Sequence, residues 1–383
     1  MENQRRKMIP GLVIFGVIVL LLAGSLALPK EEILPIENRK AAALPAFSME
    51  DWVTDDYPER LQSYVDDRVA LRQTWISAKC FVDEMLLGMT EESGILLGKD
   101  GQMFTGTFES AGENEQFAKN VAALSTFAET SEVPVTVMII PSPATILSDR
   151  LPANAPVASE AAMLEELKSE LAPQCTVLEE RGTLEAHRDE YIFYRTDHHW
   201  TTLGAYYAYA DFCEAKGLKP CEPDWKQAVS VPDFYGTHYA KTRYALTKPD
   251  TICYFPVEEP MTVYRVTGDA AFEANEEQAV INEEQFEKYD KYAAFLDGNN
   301  GYSTIPGEGK GRILVVKDSY ANCFVPFLLA NYEQVGVVDY RNYAYNLPNI
   351  VEKEDYDEVL FLYSMQGFAA DTGLAAINRP VLD

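Results

Sequence analysis

Val133-Pro134-Val135-Thr136-Val137-Met138-Ile139-Ile140-Pro141 is a continuous apolar run in which β-branched residues dominate. A strand with one face in water shows alternating polarity, so a run without alternation indicates a strand that is buried on both faces. A helical pattern from Glu115 to Glu129 precedes this run. A helix that leads into a doubly buried strand is typical of a parallel sheet covered by helices on both sides. The run therefore predicts an α/β fold.

The rest of the chain continues the alternation of helix and strand. A helical pattern spans 161–171, and a short strand is predicted at 175–178. Further central strands are predicted at 312–317, 335–341 and 357–363. With 383 residues and 47% hydrophobic content, the chain has ample material for such a core, in one large domain or two smaller ones. The net charge of −28 argues against nucleic-acid binding, which needs a basic face, and disfavours broad adsorption to anionic lipid.

The N-terminus carries a long apolar segment. Residues 9–28 are uncharged and strongly apolar, and Arg5, Arg6 and Lys7 precede them. About 20 such residues suffice for a transmembrane helix, and the flanking charges place residues 1–8 in the cytoplasm. We therefore expect a single-pass membrane anchor at 9–28 and an extracytoplasmic remainder. The alternative is a cleaved signal peptide, because Ser25-Leu26-Ala27 fits a small-x-small cleavage site.

Two of the four histidines are adjacent in the segment Asp197-His198-His199-Trp200. A β-prone segment precedes this motif and a helical pattern follows it, which predicts a strand-to-helix loop. One residue separates Asp197 from His199, so in a turn the carboxylate can bind one imidazole nitrogen and leave the other free as a base. Ser319, between the strand 312–317 and another helical pattern, offers a nucleophile. Backbone N–H groups at a helix start can receive an oxyanion.

The segments Asp197-His198-His199-Trp200 and Val316-Lys317-Asp318-Ser319-Tyr320-Ala321-Asn322 resemble the two signatures of the bacterial DHHW protein family. That family is similar to the SGNH-hydrolase-like proteins that O-acetylate alginate and other secreted polysaccharides. The resemblance implies an SGNH-like (flavodoxin-like) central parallel sheet, with the motifs in a permuted order compared with ordinary SGNH esterases. It implies that Ser319 is the nucleophile, His199 the base and Asp197 its orienting partner, and we expect no cofactor. Lys317 departs from the pattern, because the acetyltransferases have glycine there.

The resemblance implies an extracytoplasmic serine acyltransferase or esterase that acts on O-acetyl groups of a cell-envelope or exported polysaccharide. Relatives of this kind often receive acyl groups from a separate membrane acyltransferase, which would be a partner. The alternative is a non-catalytic glycan-binding or envelope assembly protein on the same fold, which Lys317 and an aromatic-containing insertion favour. A spore-coat or envelope structural component is a third hypothesis, for which the sequence offers only the anchor.

The predicted organisation places a helical membrane-proximal segment at 29–97 and the SGNH-like domain at 98–383, with an insertion at about 220–307. The segment Gly98 to Phe104 is predicted to be a tight turn between short strands. Four residues are predicted to contact substrate: Arg341, Asn299, Tyr320 and Trp200. Four tyrosines of the insertion could stack on sugar rings, although packing is the commoner role of tyrosine: Tyr235, Tyr239, Tyr254 and Tyr264.

A metal site is a rival interpretation of the motif, since Asp197-His198-His199 offers three possible ligands. Adjacent residues seldom aim at one ion without distant partners, and the remaining histidines, His187 and His238, show no ligand spacing. We therefore predict no metal. The DHH phosphoesterases share three letters of the motif, but they are intracellular and carry further aspartate motifs that this sequence lacks.

The six cysteines are an even number in a compartment that permits disulfides, and none forms a Cys-x-x-Cys pair. Cys213 and Cys221 flank a turn and could pair locally. Burial as free thiols is an equally simple alternative.

Overall fold

The computed structural model of the protein describes residues 2–27, 32–34, 36, 39–54, 56–106, 114–171, 174–244, 246–268 and 271–380. The chain divides into two compact units. The first unit comprises residues 1–89 and 240–246, and the second comprises residues 90–239 and 247–383. Both sequence motifs lie in the second unit.

The helices are α1 (Glu2–Ala27), α2 (Met49–Val53), α3 (Asp56–Asp66), α4 (Arg72–Leu87), α5 (Glu115–Thr130), α6 (Pro143–Ile146), α7 (Ala161–Leu171), α8 (Arg181–Ala186), α9 (Thr202–Lys216), α10 (Thr237–Thr242), α11 (Val325–Leu328), α12 (Leu347–Lys353) and α13 (Met365–Ala370). The strands are β1 (Ile33–Leu34), β2 (Arg39–Lys40), β3 (Glu91–Glu92), β4 (Ile95–Leu97), β5 (Met103–Thr105), β6 (Val135–Ile140), β7 (Thr176–Leu178), β8 (Val229–Phe234), β9 (Asp250–Tyr254), β10 (Pro260–Gly268), β11 (Ala271–Ala279), β12 (Tyr302–Pro306), β13 (Arg312–Lys317), β14 (Gln334–Val338) and β15 (Glu358–Ser364).

Helix α1 contains most of the apolar segment predicted to cross a membrane. Over the residues that the structure describes, no helix has the length and apolar character that a membrane crossing requires. The anchor at 9–28 therefore stays a prediction without support from the structure, and Leu28 lies outside the described residues.

The second unit is built on a mixed eight-stranded sheet with the order β11-β10-β12-β14-β13-β15-β6-β7. The strands β14, β13, β15, β6 and β7 are parallel, and β12, β10 and β11 extend the sheet in antiparallel pairing. All six residues of β6 are buried, as the unalternating run at 133–141 predicted. The predicted α/β fold is confirmed, and the central sheet, predicted to be parallel, is mostly parallel with three antiparallel pairings.

Side chains alternate between two cores on the two faces of the sheet. In β13, Ile313 and Val315 pack into one core together with residues of α9 and α11. Leu314 and Val316 pack into the other core, which contains residues of α5, α7, α12 and α13. Because both faces are covered, every position of a central strand has to be apolar, and this explains the continuous hydrophobic runs in the sequence.

The five parallel strands lie in the spatial order β14-β13-β15-β6-β7. We number them 1 to 5 in a permuted chain order, starting at β13 and continuing with β14, β15, β6 and β7. Their spatial order is then 2-1-3-4-5. In such a sheet, ligands bind beyond the carboxyl ends of the strands at the point where the strand order reverses. That point lies between β13 and β15, and Ser319 follows the carboxyl end of β13.

Several local predictions can be compared with the structure. The turn at 98–104 joins the antiparallel strands β4 and β5, which confirms it. The predicted insertion at about 220–307 supplies β10, β11 and β12 to the central sheet. The helix expected after the serine motif is a 3-10 turn at Ser319–Cys323, followed by the short α11. Pro326 explains the difference, because it has no N–H to bond the carbonyl of Asn322 and continue a helix.

Candidate active site

The motif Asp197–Trp200 lies in a tight loop that leads into α9. Phe193 and Trp200 face each other as an antiparallel bridge, and Tyr194 donates its N–H to the carbonyl of His199 at 3.2 Å. The Thr201 hydroxyl caps α9 by accepting from the N–H of Gly204. Helix α9 begins so close to this bridge that a side chain at Gly204 would meet the Ile192 carbonyl at 2.5 Å. The predicted strand-to-helix loop is therefore a hairpin-like turn packed against a helix start.

A buried carboxylate, Asp250 at the start of β9, organises the same loop. It accepts the N–H and hydroxyl of Thr196 at 2.8 and 2.6 Å, and the N–H and Nε of Arg195 at 3.1 Å each. Tyr191 adds a fifth hydrogen bond at 2.5 Å. Five donors on one buried carboxylate fix the backbone immediately ahead of Asp197.

Asp197, His199 and Ser319 form a continuous hydrogen-bonded chain. Asp197 Oδ1 lies 2.5 Å from His199 Nδ1 and also accepts the N–H of His199 at 3.0 Å. On the other side of the ring, His199 Nε2 lies 2.7 Å from Ser319 Oγ. The carboxylate thus selects the tautomer in which Nε2 is free to accept the serine proton.

The electrostatics of the chain favour a charged Asp197. Burial alone would raise the pKa of this carboxyl, but the neighbouring His198 and His199 and the hydrogen bonds hold the pKa well below its ordinary value. One of those bonds comes from the N–H of Thr237, which donates to Asp197 Oδ2 at 2.7 Å. An ionised carboxylate at this place stabilises the imidazolium that forms when His199 takes a proton.

Side chains from each motif bind the other motif. The Trp200 indole donates to the carbonyl of Tyr320 at 2.8 Å. In return, the Tyr320 hydroxyl donates to the carbonyl of His198. Tyr292 donates its hydroxyl to the carbonyl of Ser319 at 3.0 Å. These reciprocal bonds hold the base and the nucleophile in register although they are 120 residues apart in sequence.

Asp318 fixes the turn that carries the nucleophile. Its Oδ1 accepts the N–H of Tyr320 at 2.9 Å, and its Oδ2 accepts the N–H and hydroxyl of Ser364 at 2.9 and 2.7 Å. The N–H of Tyr320 is therefore occupied, whereas within the described part of the chain the N–H of Ser319 has no acceptor. The Ser319 amide is the backbone group at this turn that can donate to an oxyanion.

A cavity of about 580 Å³ opens beside Ser319 at the carboxyl ends of the parallel strands. Segments after β6, β13, β14 and β15 all line it, and its wall includes Ser142, His198, Tyr340, Gln366 and Asp371. This is the position where the reversal of strand order predicts a ligand. Its size suits a small polar ligand or part of a larger one.

The predicted substrate-contact residues divide into two pairs. Arg341 and Tyr320 line the cavity. Trp200 is fully buried and its indole is engaged with the carbonyl of Tyr320, so the structure does not bring it to the cavity. Asn299 is not among the residues that line this cavity, and its side-chain oxygen accepts from Lys317 at 3.0 Å. Trp200 thus packs behind the site, whereas substrate contact by Asn299, whose side chain is exposed, stays a prediction.

The three polar residues of the motif do lie close together, with possible ligand atoms within 4.8 Å of one another. Those atoms are already engaged: Asp197 Oδ1 binds His199 Nδ1, and His199 Nε2 binds Ser319 Oγ. His198 Nδ1 lies 2.7 Å from the hydroxyl of Thr237. This bonding fits a serine triad better than a metal centre, which needs ligand atoms directed at a common point.

The sequence model of the DHHW protein family matches residues 111–338, more than half of the chain. The chain belongs to the DHHW protein family. Both the histidine motif and the serine motif lie within the matched residues. No curated protein matches the sequence.

Solved structures extend the comparison. A DHHW family protein from Eubacterium siraeum is similar with a TM-score of 0.64 and 25% identity, over 76% of this chain and 98% of that one. Bacillus cereus PatB1 with a sulfonyl adduct is similar with a TM-score of 0.58 and 18% identity, over 74% of this chain and 98% of PatB1. The O-acetyltransferase domain of Pseudomonas putida AlgJ matches at a TM-score of 0.44 and 14% identity, over 75% of this chain and 96% of that domain.

Within this DHHW protein, several residues that support the triad carried no signal in the sequence. Tyr292 lies in a 3-10 turn, Asp250 opens a short strand and Gly236 lies in a loop. A side chain at Gly236 would come within 2.4 Å of Asp197 Oδ2, so only glycine fits there. Each acts through a long-range contact, and local patterns do not encode such contacts.

The tyrosines considered for sugar stacking pack against protein rings instead. Tyr235 and Tyr239 pack against each other, with centroids 4.4 Å apart. Tyr254 packs on Phe286, and Tyr264 stacks on Tyr302 at 4.9 Å. All six cysteines are free, so the pairing of Cys213 with Cys221 is not found.

Proposed function

We propose that this DHHW protein is a serine acyltransferase or esterase that acts on O-acetyl groups of an extracytoplasmic polysaccharide. The observation that carries the proposal is the 2.7 Å contact between His199 Nε2 and Ser319 Oγ, with Asp197 on the opposite ring nitrogen. The permuted 2-1-3-4-5 order of the parallel strands supports an SGNH-like, flavodoxin-like domain, as the motif order implies.

The proposed reaction follows from these contacts. His199 accepts the Ser319 proton while Oγ attacks the ester carbonyl, and the N–H of Ser319 donates to the oxyanion. The resulting imidazolium, stabilised by Asp197, protonates the leaving oxygen, and an acetyl-serine remains. A sugar hydroxyl or water then attacks the acetyl group, with His199 as base again. Transfer and hydrolysis differ in the acceptor alone.

The non-catalytic alternative rested on Lys317 in place of glycine and on the aromatic-containing insertion. In the structure the Lys317 ammonium is directed to Asn299, Asn322 and Asp339 and leaves the contact between His199 and Ser319 intact. Lysine in place of glycine therefore changes the residues around the site but does not remove the nucleophile.

Intact-protein mass spectrometry tests the proposal. The full chain is incubated with 4-nitrophenyl acetate or with a sulfonyl fluoride, the reagent class suggested by the sulfonyl adduct on PatB1. We expect a single adduct on the wild type and none on Ser319→Ala, with a strongly slowed reaction on His199→Ala. Ser169→Ala, which removes an exposed hydroxyl on α7, is the matched control and should react like the wild type. A folded wild type that forms no adduct with either reagent would reject the proposed function.

We also propose an extracytoplasmic location, on the basis of the apolar residues 9–28 and the basic residues Arg5, Arg6 and Lys7 ahead of them. Protease added to intact cells should digest residues 29–383; protection until the membrane is permeabilised would overturn this. The separate membrane acyltransferase implied by the resemblance stays a prediction.

A further inference from the structure

Lys317, the last residue of β13, is a buried lysine beside the nucleophile turn. Its side chain is 1% exposed. The ammonium donates to Asn322 Oδ1 at 2.6 Å, to Asn299 Oδ1 at 3.0 Å and to Asp339 Oδ2 at 3.2 Å. Since an ammonium has three donors, the three acceptors satisfy it completely. The acceptors come from three segments: the nucleophile turn, the loop before β12 and the loop after β14.

Asp339 connects this cluster to the cavity. It is fully buried, and its Oδ1 accepts the N–H and Nε of Arg341 at 3.1 and 2.8 Å. Its Oδ2 accepts Arg341 Nη2 at 2.5 Å in addition to Lys317. The Asp339 carboxylate therefore binds two nitrogens of the Arg341 guanidinium. This bidentate geometry fixes the orientation of the guanidinium as well as its distance from the carboxylate.

Arg341 is the outer end of the cluster. Its side chain is 41% exposed and lines the cavity that holds Ser319. Among the residues that the structure describes, Nη1 has no hydrogen-bond acceptor, whereas Nε and Nη2 are both engaged. The free edge of a guanidinium suits a carboxylate or phosphate.

Two cations, Lys317 and Arg341, interact with the carboxylate of Asp339. Although burial alone would raise the pKa of Asp339, the Lys317 ammonium and the Arg341 guanidinium hold it below its ordinary value. Burial lowers the pKa of Lys317, and Asp339 opposes that effect. One carboxylate is thus shared by two cations in a chain whose net charge is −28. Asp318 interacts with both cations as well, and it lines the cavity together with Asp371 and Arg341.

We propose that Lys317 is a positioning residue whose ammonium holds Asp339 and so directs Arg341 into the cavity, where the guanidinium binds an anionic substituent of the substrate. The inference rests on the proposed function for the identity of the cavity as the substrate site. It concerns a feature in which this chain departs from the acetyltransferases that have glycine at the same position.

Equilibrium binding tests the inference independently of turnover. The full chain carrying Ser319→Ala is titrated with 4-acetoxybenzoate, an anion, and with its uncharged methyl ester, and the ratio of the two dissociation constants is measured by NMR. Because a charge-assisted hydrogen bond contributes about 1.5 kcal/mol or more, we expect the anion to bind about tenfold tighter or better. Lys317→Met should reduce that preference by about threefold or more. Lys119→Met, an exposed lysine on α5, is the matched control.

A double-mutant cycle separates positioning from simple loss of positive charge. If Lys317 acts through Arg341, then Lys317→Met should have no further effect on the preference in an Arg341→Met background. A preference that falls by the same factor in both backgrounds would overturn the positioning role. Equal binding of anion and ester to the parent protein would overturn the inference as a whole.

Separate control experiments test whether each variant folds and whether the proposed function holds. Circular dichroism and thermal melting verify the fold of each variant, and Lys317→Gln, which retains donors for the neighbouring amide oxygens, replaces Lys317→Met if that variant does not fold. Failure of the proposed function shows itself in a different experiment, as a wild type whose Ser319 forms no adduct. A protein that labels at Ser319 but lacks the Lys317-dependent preference rejects this inference alone.

Discussion

The rings of Tyr292 and His199 are stacked, with centroids 3.8 Å apart and an interplanar angle of 13°. The same tyrosine donates its hydroxyl to the carbonyl of Ser319 at 3.0 Å. One buried side chain therefore holds the plane of the proposed base and the backbone of the proposed nucleophile. An imidazole that can rotate away from Ser319 Oγ loses the geometry on which proton transfer depends.

Tyr292→Phe should keep the stack and lose the hydrogen bond. We expect a loss of about 1 kcal/mol in stability and about tenfold or less in the rate of Ser319 acylation. Tyr292→Leu, which also removes the stack, should be slower still. Stopped-flow acylation by 4-nitrophenyl acetate measures the rate for both variants, and urea unfolding measures their stability. Tyr207→Phe, which deletes a comparable hydroxyl bond to Glu190, is the control. Equal rates for the Phe and Leu variants would show that the stack has no role.

The sequence predicted those parts of the site whose signals are local. The run at 133–141 identified a strand buried on both faces, and the spacing of Asp197 and His199 identified the pair that shares a proton. Neither signal could locate Tyr292, because its contact with His199 joins residues that are distant in sequence. Nor could the sequence show that Trp200, which was predicted to contact substrate, is buried with its indole bound to the carbonyl of Tyr320 behind the site.

Asp197→Asn should slow acylation far more than it destabilises the protein. The amide cannot stabilise the imidazolium and favours the tautomer with a proton on Nε2, so we expect a loss of about 10³ to 10⁴-fold, the scale seen in serine triads. Single-turnover acylation kinetics measure this loss. Asp149→Asn, at an exposed ion pair with Arg188, is the control. A loss of less than tenfold would show that Asp197 does not orient the base.

Asp197 should also affect how the free energy of unfolding depends on pH. Its folded pKa lies well below the ordinary value of 3.8, so its contribution is present above that value and is lost as the pH falls through the folded pKa. The difference in unfolding free energy between wild type and Asp197→Asn should therefore shrink as the pH falls below about 4. Urea unfolding at several pH values measures the difference. A difference that grows as the pH falls below about 4 would contradict the assigned charge.

Gly236→Ala should disable the site by moving Asp197. A methyl group at this position would lie 2.2 Å from the Asp197 Cβ and 2.4 Å from its Oδ2, so the carboxylate has to shift. Because a misplacement of about 1 Å can cost about 100-fold in rate, we expect a loss of that order in acylation. Gly182→Ala in α8, where the added methyl meets nothing within 4 Å, is the matched control. A wild-type acylation rate for Gly236→Ala would mean that the loop containing Gly236 shifts and that Asp197 stays in place.

For Glu160 we predict the opposite dependence of stability on pH. Burial raises the pKa of this carboxyl above 4.5 despite its bonds to the N–H of Ser142 and the hydroxyl of Thr145. Its Oε1 has no hydrogen-bond partner among the described residues. The native state therefore binds the Glu160 proton more tightly than the unfolded state does, so this contribution to stability is full below the unfolded pKa and is lost as the pH rises through the folded pKa.

Glu160→Gln keeps one oxygen for the two donors and cannot ionise. The unfolding free energy of the wild type minus that of Glu160→Gln should therefore decrease between pH 4.5 and pH 8, as measured by urea unfolding at both ends of that range. Glu166→Gln in helix α7, which begins directly after Glu160, serves as the control for a simple change of net charge. An increase in the difference with pH would mean that the two hydrogen bonds outweigh burial and that Glu160 is held as a carboxylate behind the cavity wall.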